Sequence, residues 1–204
     1  VDIDSRMQRT QNRPLPMQRL SKRFVLFGSL VVGLIGCVIL YFYTTVLCLI
    51  AALMTWVLYD AVYTPLKRTS SWNTVVGAVP GALPVFCGWF FVKGSIEVSI
   101  GLVFLMLYLW QFPHFFAIAW MNKESYEKAG LKMISLGDHD GKKTATALLI
   151  STVLFLISTY ALYYFNVFEL IYMVGVTVLN VCLLYLSIRF YVQKSVRCAK
   201  QILL

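Results

Sequence analysis

The sequence predicts an all-α protein, a polytopic integral membrane bundle of six transmembrane helices forming a single domain over residues 1–204. Three observations predict it. Hydrophobic residues make up 59% of the chain and charged residues only 13%, with a mean hydropathy of +0.74, a balance that ordinary soluble domains do not have. Uncharged runs long enough to cross a bilayer recur along the chain. The basic residues between those runs fall almost entirely on one side once the runs are read as six spans.

Residues 1–23 are a polar, basic lead-in. It begins with Val and has no apolar centre, so it does not read as a signal peptide, and its first residue suggests a piece of a longer protein. If the lead-in is helical, Arg6, Arg9 and Arg13 share one face until Pro14 and Pro16 end the helix; the alternative is a solvated basic loop. Phe24 to Tyr59 carries no charge, and as one helix it would be about 54 Å long against a hydrocarbon core of roughly 30 Å, so it must fold back once. The cluster Tyr41-Phe42-Tyr43-Thr44-Thr45 marks that turn, where rings meet the interface. Thr69 to Val92 is the third span. Its Gly and Pro series from Gly77 to Trp89 reads either as a kinked packing helix or as a locally unwound, substrate-facing one. Lys93 and Glu97 bracket a short turn, and Val98 to Met121 is the fourth span, ending W-Q-F-P-H-F-F-A-I-A-W. Asn122 to Lys143 is a polar loop. Thr144 to Ile188 holds a single charge, Glu169, and supplies two more spans that turn near Tyr163 to Glu169.

This partition puts the lead-in, Lys67-Arg68, the Asn122 to Lys143 loop and the stretch from Arg189 onward on one side. Lys93 is the only one of the 18 basic residues on the other. Such asymmetry marks a polytopic protein with its basic loops in the cytoplasm or an equivalent compartment. The net charge of +9 therefore reads first as topology, and nucleic acid is not an expected partner because the basic residues sit between membrane runs. Cys37, Cys48, Cys87, Cys182 and Cys198 show no C-x-x-C spacing and lie mostly in apolar runs, which predicts neither a disulfide framework nor a zinc site.

Three polar clusters share the basic side. Read as a helix, Asp60, Tyr63, Thr64 and Lys67 recur at three- and four-residue spacing and share one face, with Pro65 in a last turn or kink. Lys67-Arg68 supplies two adjacent cations, suited to gripping a phosphate or to marking the cytoplasmic end of a span. The lead-in brings Asp2, Asp4, Arg6, Arg9 and Arg13, and the stretch from His114 to Gly141 brings the third cluster. Carboxylates with several Arg and Lys at the mouth of an apolar bundle suit a ligand with a phosphorylated head and a greasy tail. Asp4 suits Mg²⁺ held against a diphosphate, since that ion takes one or two carboxylates and completes its shell with phosphate oxygens and water.

The stretches D-I-D-S-R-M-Q-R-T-Q-N-R-P, V-Y-T-P-L-K-R-T-S-S-W-N-T-V-V-G-A-V-P-G-A-L-P, W-Q-F-P-H-F-F-A-I-A-W and Y-E-K-A-G-L-K-M follow one another between Asp2 and Met133. Together they resemble the UbiA superfamily of intramembrane prenyltransferases, and in particular its haem-farnesylating branch. The resemblance implies a UbiA-like bundle with further spans, two before and one after the six counted. It implies transfer of a farnesyl group from farnesyl diphosphate to a vinyl group of haem B, with release of pyrophosphate and with Mg²⁺ as cofactor. The implied setting is the bacterial or mitochondrial inner membrane, with the site on the cytoplasmic or matrix side, surrounded by membrane lipid. Haem A synthase or the assembly of a terminal oxidase follow as implied partners.

By the same resemblance Asp2 and Asp4 are metal-binding, the remainder of a family motif N-x-x-x-D-x-D-x-D whose first aspartate precedes this stretch. Asp4, Lys67 and Arg68 carry the catalysis. Arg9, Arg13, Lys67 and Arg68 hold the diphosphate, with Tyr63, Thr64 and Asn73 lining the same site. Trp110, His114 and Phe115 form the acceptor pocket, His114 as a haem-iron ligand or as a polar contact. Glu124-Ser125 stands where the family has an acidic pair, and Pro84-Val85 where it has Pro-Pro, so Glu124 is what is left for a second acidic site. The faces of Trp89, Phe112 or Phe115 suit an allylic cation or plain packing. Two other readings stay open, a UbiA-type enzyme prenylating an aromatic quinone precursor and a non-enzymatic transporter or structural membrane subunit. Trp110 to Trp120 speaks for haem, and the non-enzymatic reading leaves three motifs on one face unexplained.

Overall fold

The computed structural model describes residues 2–203 and, of residue 2, only the backbone. Among these residues all regular elements are helical. In chain order they are α1 (Asp2–Ser5), α2 (Lys22–Tyr43), α3 (Val46–Thr69), α4 (Asn73–Val92), α5 (Val98–Met121), α6 (Lys123–Lys128), α7 (Lys142–Tyr164), α8 (Leu170–Gln193) and α9 (Val196–Ile202). Six of them, α2, α3, α4, α5, α7 and α8, are long and apolar enough to cross a membrane, and the chain is an integral membrane protein. The first fold-back falls at Thr44-Thr45, as the aromatic and Thr cluster predicts. There the Thr45 hydroxyl accepts the Cys48 N–H at 3.3 Å and caps α3, while Thr44 Oγ1 donates to the Leu40 carbonyl at 2.6 Å.

The lead-in departs from the helical alternative. Regular helix stops at Ser5, and residues 6–20 run as successive turns. Thr10 donates its hydroxyl back to the Asp4 carbonyl at 2.9 Å, and Pro14 and Pro16 remove two backbone donors that a longer helix would need. The turns are not loose. Met7 is buried among Ala129 and Leu131, with Ile3, Tyr126 and Met133 packed around them, so an apolar contact holds the basic segment against the α6 loop.

Two spans are irregular, and each irregularity is accompanied by a side-chain hydrogen bond to a nearby backbone carbonyl. α3 widens into a π-helical turn over Leu58–Tyr63 just before Pro65. The backbone N–H and the hydroxyl of Thr64 both donate to the Tyr59 carbonyl, the hydroxyl at 2.9 Å. The wider turn re-phases the helix: Tyr63, Thr64 and Lys67 stay together on one cavity wall, while Asp60 is exposed and falls outside it. In α4 the helix breaks at Leu83, between Asn73–Ala82 and Pro84–Val92, because Pro84 offers no N–H to the preceding turn. Gln111 of α5 reaches across to this break. Its Nε2 donates to the Ala78 carbonyl at 2.9 Å, and its side chain lies so close to Gly81 that a Cβ there would collide with it.

α5 is the centre of the bundle. Its one face, carrying Phe112, Phe116 and Ala117, packs with Ala78 of α4, Ala145 and Leu148 of α7, Phe190 of α8, and Cys198 and Ala199 of α9. Backbones approach closely between spans that are neighbours in the chain, from α2 on α3 through to α7 on α8, and side chains of α8 also reach α5, where Phe190 meets Trp120 and the Tyr172 hydroxyl donates to the Met106 sulfur. α7 and α8 are joined by polar side chains as well as by packing. Thr152 and Ser187 hydroxyls meet at 3.0 Å, Asn180 Nδ2 donates to Thr159 Oγ1 at 2.8 Å, and Tyr160 donates to Thr177 Oγ1 at 3.2 Å. In a membrane such bonds contribute about 0.6 kcal/mol on average and up to roughly 1.7 kcal/mol. Asn180→Ala and Thr159→Val should therefore each lower stability by about 1 kcal/mol, with the double variant costing no more than the larger single change. Equilibrium unfolding of the detergent-solubilised protein in SDS checks this, and fully additive losses would show that the two side chains do not interact.

Candidate functional site

The basic ends of the spans enclose a cavity of about 760 Å³ built from three separate stretches of chain. The lead-in supplies Asp4, Arg9 and Arg13, with Ile3 and Met7; the end of α3 supplies Tyr63, Thr64, Lys67 and Arg68; and the α6 region supplies Tyr126, Leu131 and Met133. Each stretch arrives for a local reason. α6 ends at Lys128 and is followed at Gly130 by a left-handed turn, φ +74°, that only glycine takes without strain and that lets the Leu131 N–H return to the Tyr126 carbonyl at 3.0 Å. The chain then runs back over α3. The Lys132 N–H donates to the Lys67 carbonyl at 2.8 Å, and the buried Asn73 amide donates to both the Ser70 carbonyl at 2.7 Å and the Lys132 carbonyl at 2.6 Å. This bracket sets the height of the wall that carries Leu131 and Met133.

Four cations and one carboxylate line the cavity among the residues whose side chains are described. Arg13 approaches Asp4 at 3.5 Å, and both side chains remain partly open to solvent. The Lys67 ammonium lies over the Tyr63 ring, 4.0 Å from its centroid, with the Tyr59 ring 5.4 Å away. Tyr126 is half-buried, and burial pushes its hydroxyl above the ordinary tyrosine value, with Arg9 only partly opposing, so it stands in the wall as a neutral hydrogen-bonding group. A concave surface of this sign suits a polyanion with several phosphate oxygens. No group of three or more His, Cys, Asp and Glu gathers among the described residues to hold a metal unaided. Asp4 beside the cations suits a hard cation such as Mg²⁺, which takes most of its ligands from a phosphorylated molecule and water.

The residues singled out from sequence are placed as follows. Asp4, Arg9, Arg13, Tyr63, Thr64, Lys67 and Arg68 all line the cavity. The side chain of Asp2 lies outside the described residues. Asn73 is buried and does not line the cavity; its amide is spent on the bracket. Trp110 and His114 stack on α5 with ring centroids 5.3 Å apart, and Phe115 lies 5.9 Å from His114. This half-exposed aromatic patch does not border the cavity. Phe112 is in the core against Tyr108 and Phe116, and Trp89 lines an apolar hollow of about 1060 Å³ near the opposite ends of the spans. Glu124 faces away from the first cavity into a second hollow, of about 510 Å³, with Lys123, His139 and Lys194. Sequence reasoning missed Tyr126, Met7 and the apolar lining residues Leu131 and Met133. Tyr126 opens the motif Y-E-K-A-G-L-K-M, so its place in a motif was a usable signal; Met7, between basic residues, carried none.

The loop after the bracket is fixed by Asp138. Its buried carboxylate accepts the Lys143 and Thr144 N–H groups at 3.2 and 2.8 Å and the Thr144 hydroxyl at 2.7 Å, which closes the first turn of α7. Lys123 Nζ donates to the Asp138 carbonyl at 2.8 Å and joins this loop to α6. Burial alone would raise the Asp138 carboxyl, but the Thr144 and Lys143 hydrogen bonds outweigh it and hold the group below the usual carboxylate value.

The sequence model of the UbiA prenyltransferase family matches residues 1–204. Among curated proteins, the chain is similar to the "Protoheme IX farnesyltransferase" of Cytophaga hutchinsonii, 40% identical over 152 residues that cover 74% of this chain and 53% of that protein. It is similar to the protein of the same name from Flavobacterium johnsoniae, 39% identical over 158 residues covering 78% of this chain and 52% of the relative. A third, from Flavobacterium psychrophilum, is 35% identical over 208 residues covering 100% of this chain and 68% of the relative. The matches to the first two span about half the length of those relatives. No solved structure matches.

Because the Asp138 carboxyl is held low, its contribution to stability is present above the unfolded value, near pH 4, and is lost as pH falls through the folded value. Asp138→Ala should cost about 2 kcal/mol at neutral pH, in the range of charge-assisted hydrogen bonds, and should flatten the acid limb of the stability curve. Melting temperature against pH for the two proteins checks it; parallel curves would rule out the charged carboxylate as the cap.

Proposed function

The chain belongs to the UbiA prenyltransferase family, and on that premise we propose that it moves a farnesyl group from farnesyl diphosphate to a vinyl group of haem B, releasing pyrophosphate and making haem O. One observation carries the reading: Asp4, Arg9, Arg13, Lys67 and Arg68 share one cavity at the basic ends of an apolar bundle. A prenyl diphosphate needs such a place, with its headgroup at the interface and its tail among the spans. The names of the relatives supply the acceptor.

In this reading the four cations take up the negative charge that grows on the diphosphate as its carbon–oxygen bond breaks. Tyr63, Thr64 and Tyr126 offer hydrogen bonds or ring faces at the same wall. Mg²⁺, held by Asp4 with Asp2 beside it in sequence, would add neutralising charge at the departing pyrophosphate. The vinyl carbon attacks the allylic cation, water adds at the neighbouring carbon and loses a proton, and a hydroxyethylfarnesyl side chain results. The apolar spans keep bulk water from the allylic cation until then. Trp110, His114 and Phe115 form the porphyrin-facing patch, since two stacked flat rings offer a face to a flat macrocycle. Asn73 serves the diphosphate site through the bracket and not by contact. The whole chain acts as one domain, with the site on the cytoplasmic or matrix side of an inner membrane.

The test is mass spectrometry of haem after incubating membranes bearing the protein with haem B, farnesyl diphosphate and Mg²⁺. Haem O should form, and Asp4→Ala or Lys67→Ala should lower its rate by about 10²- to 10³-fold, the range for removing one group that stabilises transition-state charge. Pyrophosphate release that depends on an aromatic quinone precursor, with haem unchanged, would move the acceptor to that class. Neither product from any acceptor would sink the enzymatic reading.

A further inference from the structure

We propose that Gly77 is a positioning residue for the diphosphate site, a role that rests on the diphosphate reading above. α4 passes the Tyr63 ring at Gly77 with no side chain between them. A Cβ at that position would lie 2.5 Å from Tyr63 Cε2 and 2.6 Å from Cδ2, far inside ordinary contact distance, so either the ring or α4 would have to move. The glycine is buried, and the part of α4 that carries it packs directly on the π-helical turn ending in Tyr63. α4 is in turn held by the Gln111 contact at Gly81 and by the Asn73 amide at its start, which leaves the ring as the element that yields.

The ring's place decides where a cation sits. Tyr63 lies under the Lys67 ammonium at 4.0 Å, and Tyr59, 5.3 Å from Tyr63 between centroids, backs the same ammonium at 5.4 Å. An ammonium over two ring faces is drawn to their π electrons and is held in one of the many rotamers a lysine otherwise samples. The Lys67 backbone cannot follow a displaced ring, because its carbonyl is bound by the Lys132 N–H at 2.8 Å. A methyl at position 77 therefore separates the ring from the ammonium, or drives the ring into the cavity, and either change disturbs the site. Gly77 does not line the cavity, so it acts through Tyr63 and touches no ligand.

The experiment compares wild type, Gly77→Ala, Tyr63→Ala and the double variant for binding of a non-hydrolysable farnesyl diphosphate analogue, with melting temperatures measured in parallel. Gly77→Ala should weaken binding about three- to thirtyfold, the span of a cation–π contribution, and the same change should have no further effect in the Tyr63→Ala background. Wild-type affinity in Gly77→Ala, or an equal loss with and without the Tyr63 ring, overturns the proposal. If Gly77→Ala alone does not fold but the double variant does, the collision is with the Tyr63 ring, as proposed. If neither folds, Gly77 serves general packing and the proposal fails. Absence of binding by the wild type would instead strike the diphosphate reading itself, a result separable from all of these.

Discussion

Lipid offers no hydrogen bonds, so every backbone N–H and carbonyl within the bilayer must find its partner inside the protein. That constraint makes the chain helical and makes each departure from regular helix informative. The π-helical turn of α3 keeps the Tyr59 carbonyl paired through Thr64, and Gln111 from the central span bonds the Ala78 carbonyl in the turn before the break in α4. Both irregularities lie in the two spans that meet at Tyr63 and Gly77, beside the cationic cavity. The π-helical turn lies at the cavity and the α4 break lies further along its span, while α5, with Pro113 inside it, α7 and α8 run as unbroken helices.

The cavity itself depends on contacts between stretches distant in sequence. Met7 docks the lead-in on the α6 loop, and the exchange among Lys67, Lys132 and Asn73 docks that loop on α3. Neither contact involves a charged group that faces the ligand. The arginines and lysines can therefore stay at a wet, partly exposed surface, where their long side chains reach an anion, while uncharged groups a few ångströms away hold the frame.

Much of the fold was legible because a membrane span is a long, cheaply recognised signal. Val98 to Met121 was readable from composition alone, and Thr44-Thr45 from rings and hydroxyls gathered at one interface. The grouping of Asp4, Arg9, Arg13, Lys67 and Arg68 was legible from topology, since basic loops on the same side meet at the ends of the spans. The phase of Asp60 was not, because a π-helical turn leaves no mark in periodicity computed at 3.6 residues per turn. Nor was the turning of Glu124 away from the cavity, which depends on which side of a short helix packs on Met7. Asn73 illustrates a subtler limit. A polar residue beside a basic motif looks like a ligand-binding group from the sequence, and the same chemistry serves a backbone clamp equally well.

The side-chain hydrogen bonds between α7 and α8 bear on how the protein is made as well as on how it stands. Among the spans α8 pairs its polar side chains mainly with α7, and its Asn180 is satisfied there by Thr159. Released by itself from the insertion machinery, α8 would present that amide to acyl chains, whereas with α7 alongside the amide is paired with Thr159. The two helices are therefore expected to enter the bilayer as a hairpin, turned at residues 165–169, so that the pairing of a few polar side chains also sets a step in the order of biogenesis.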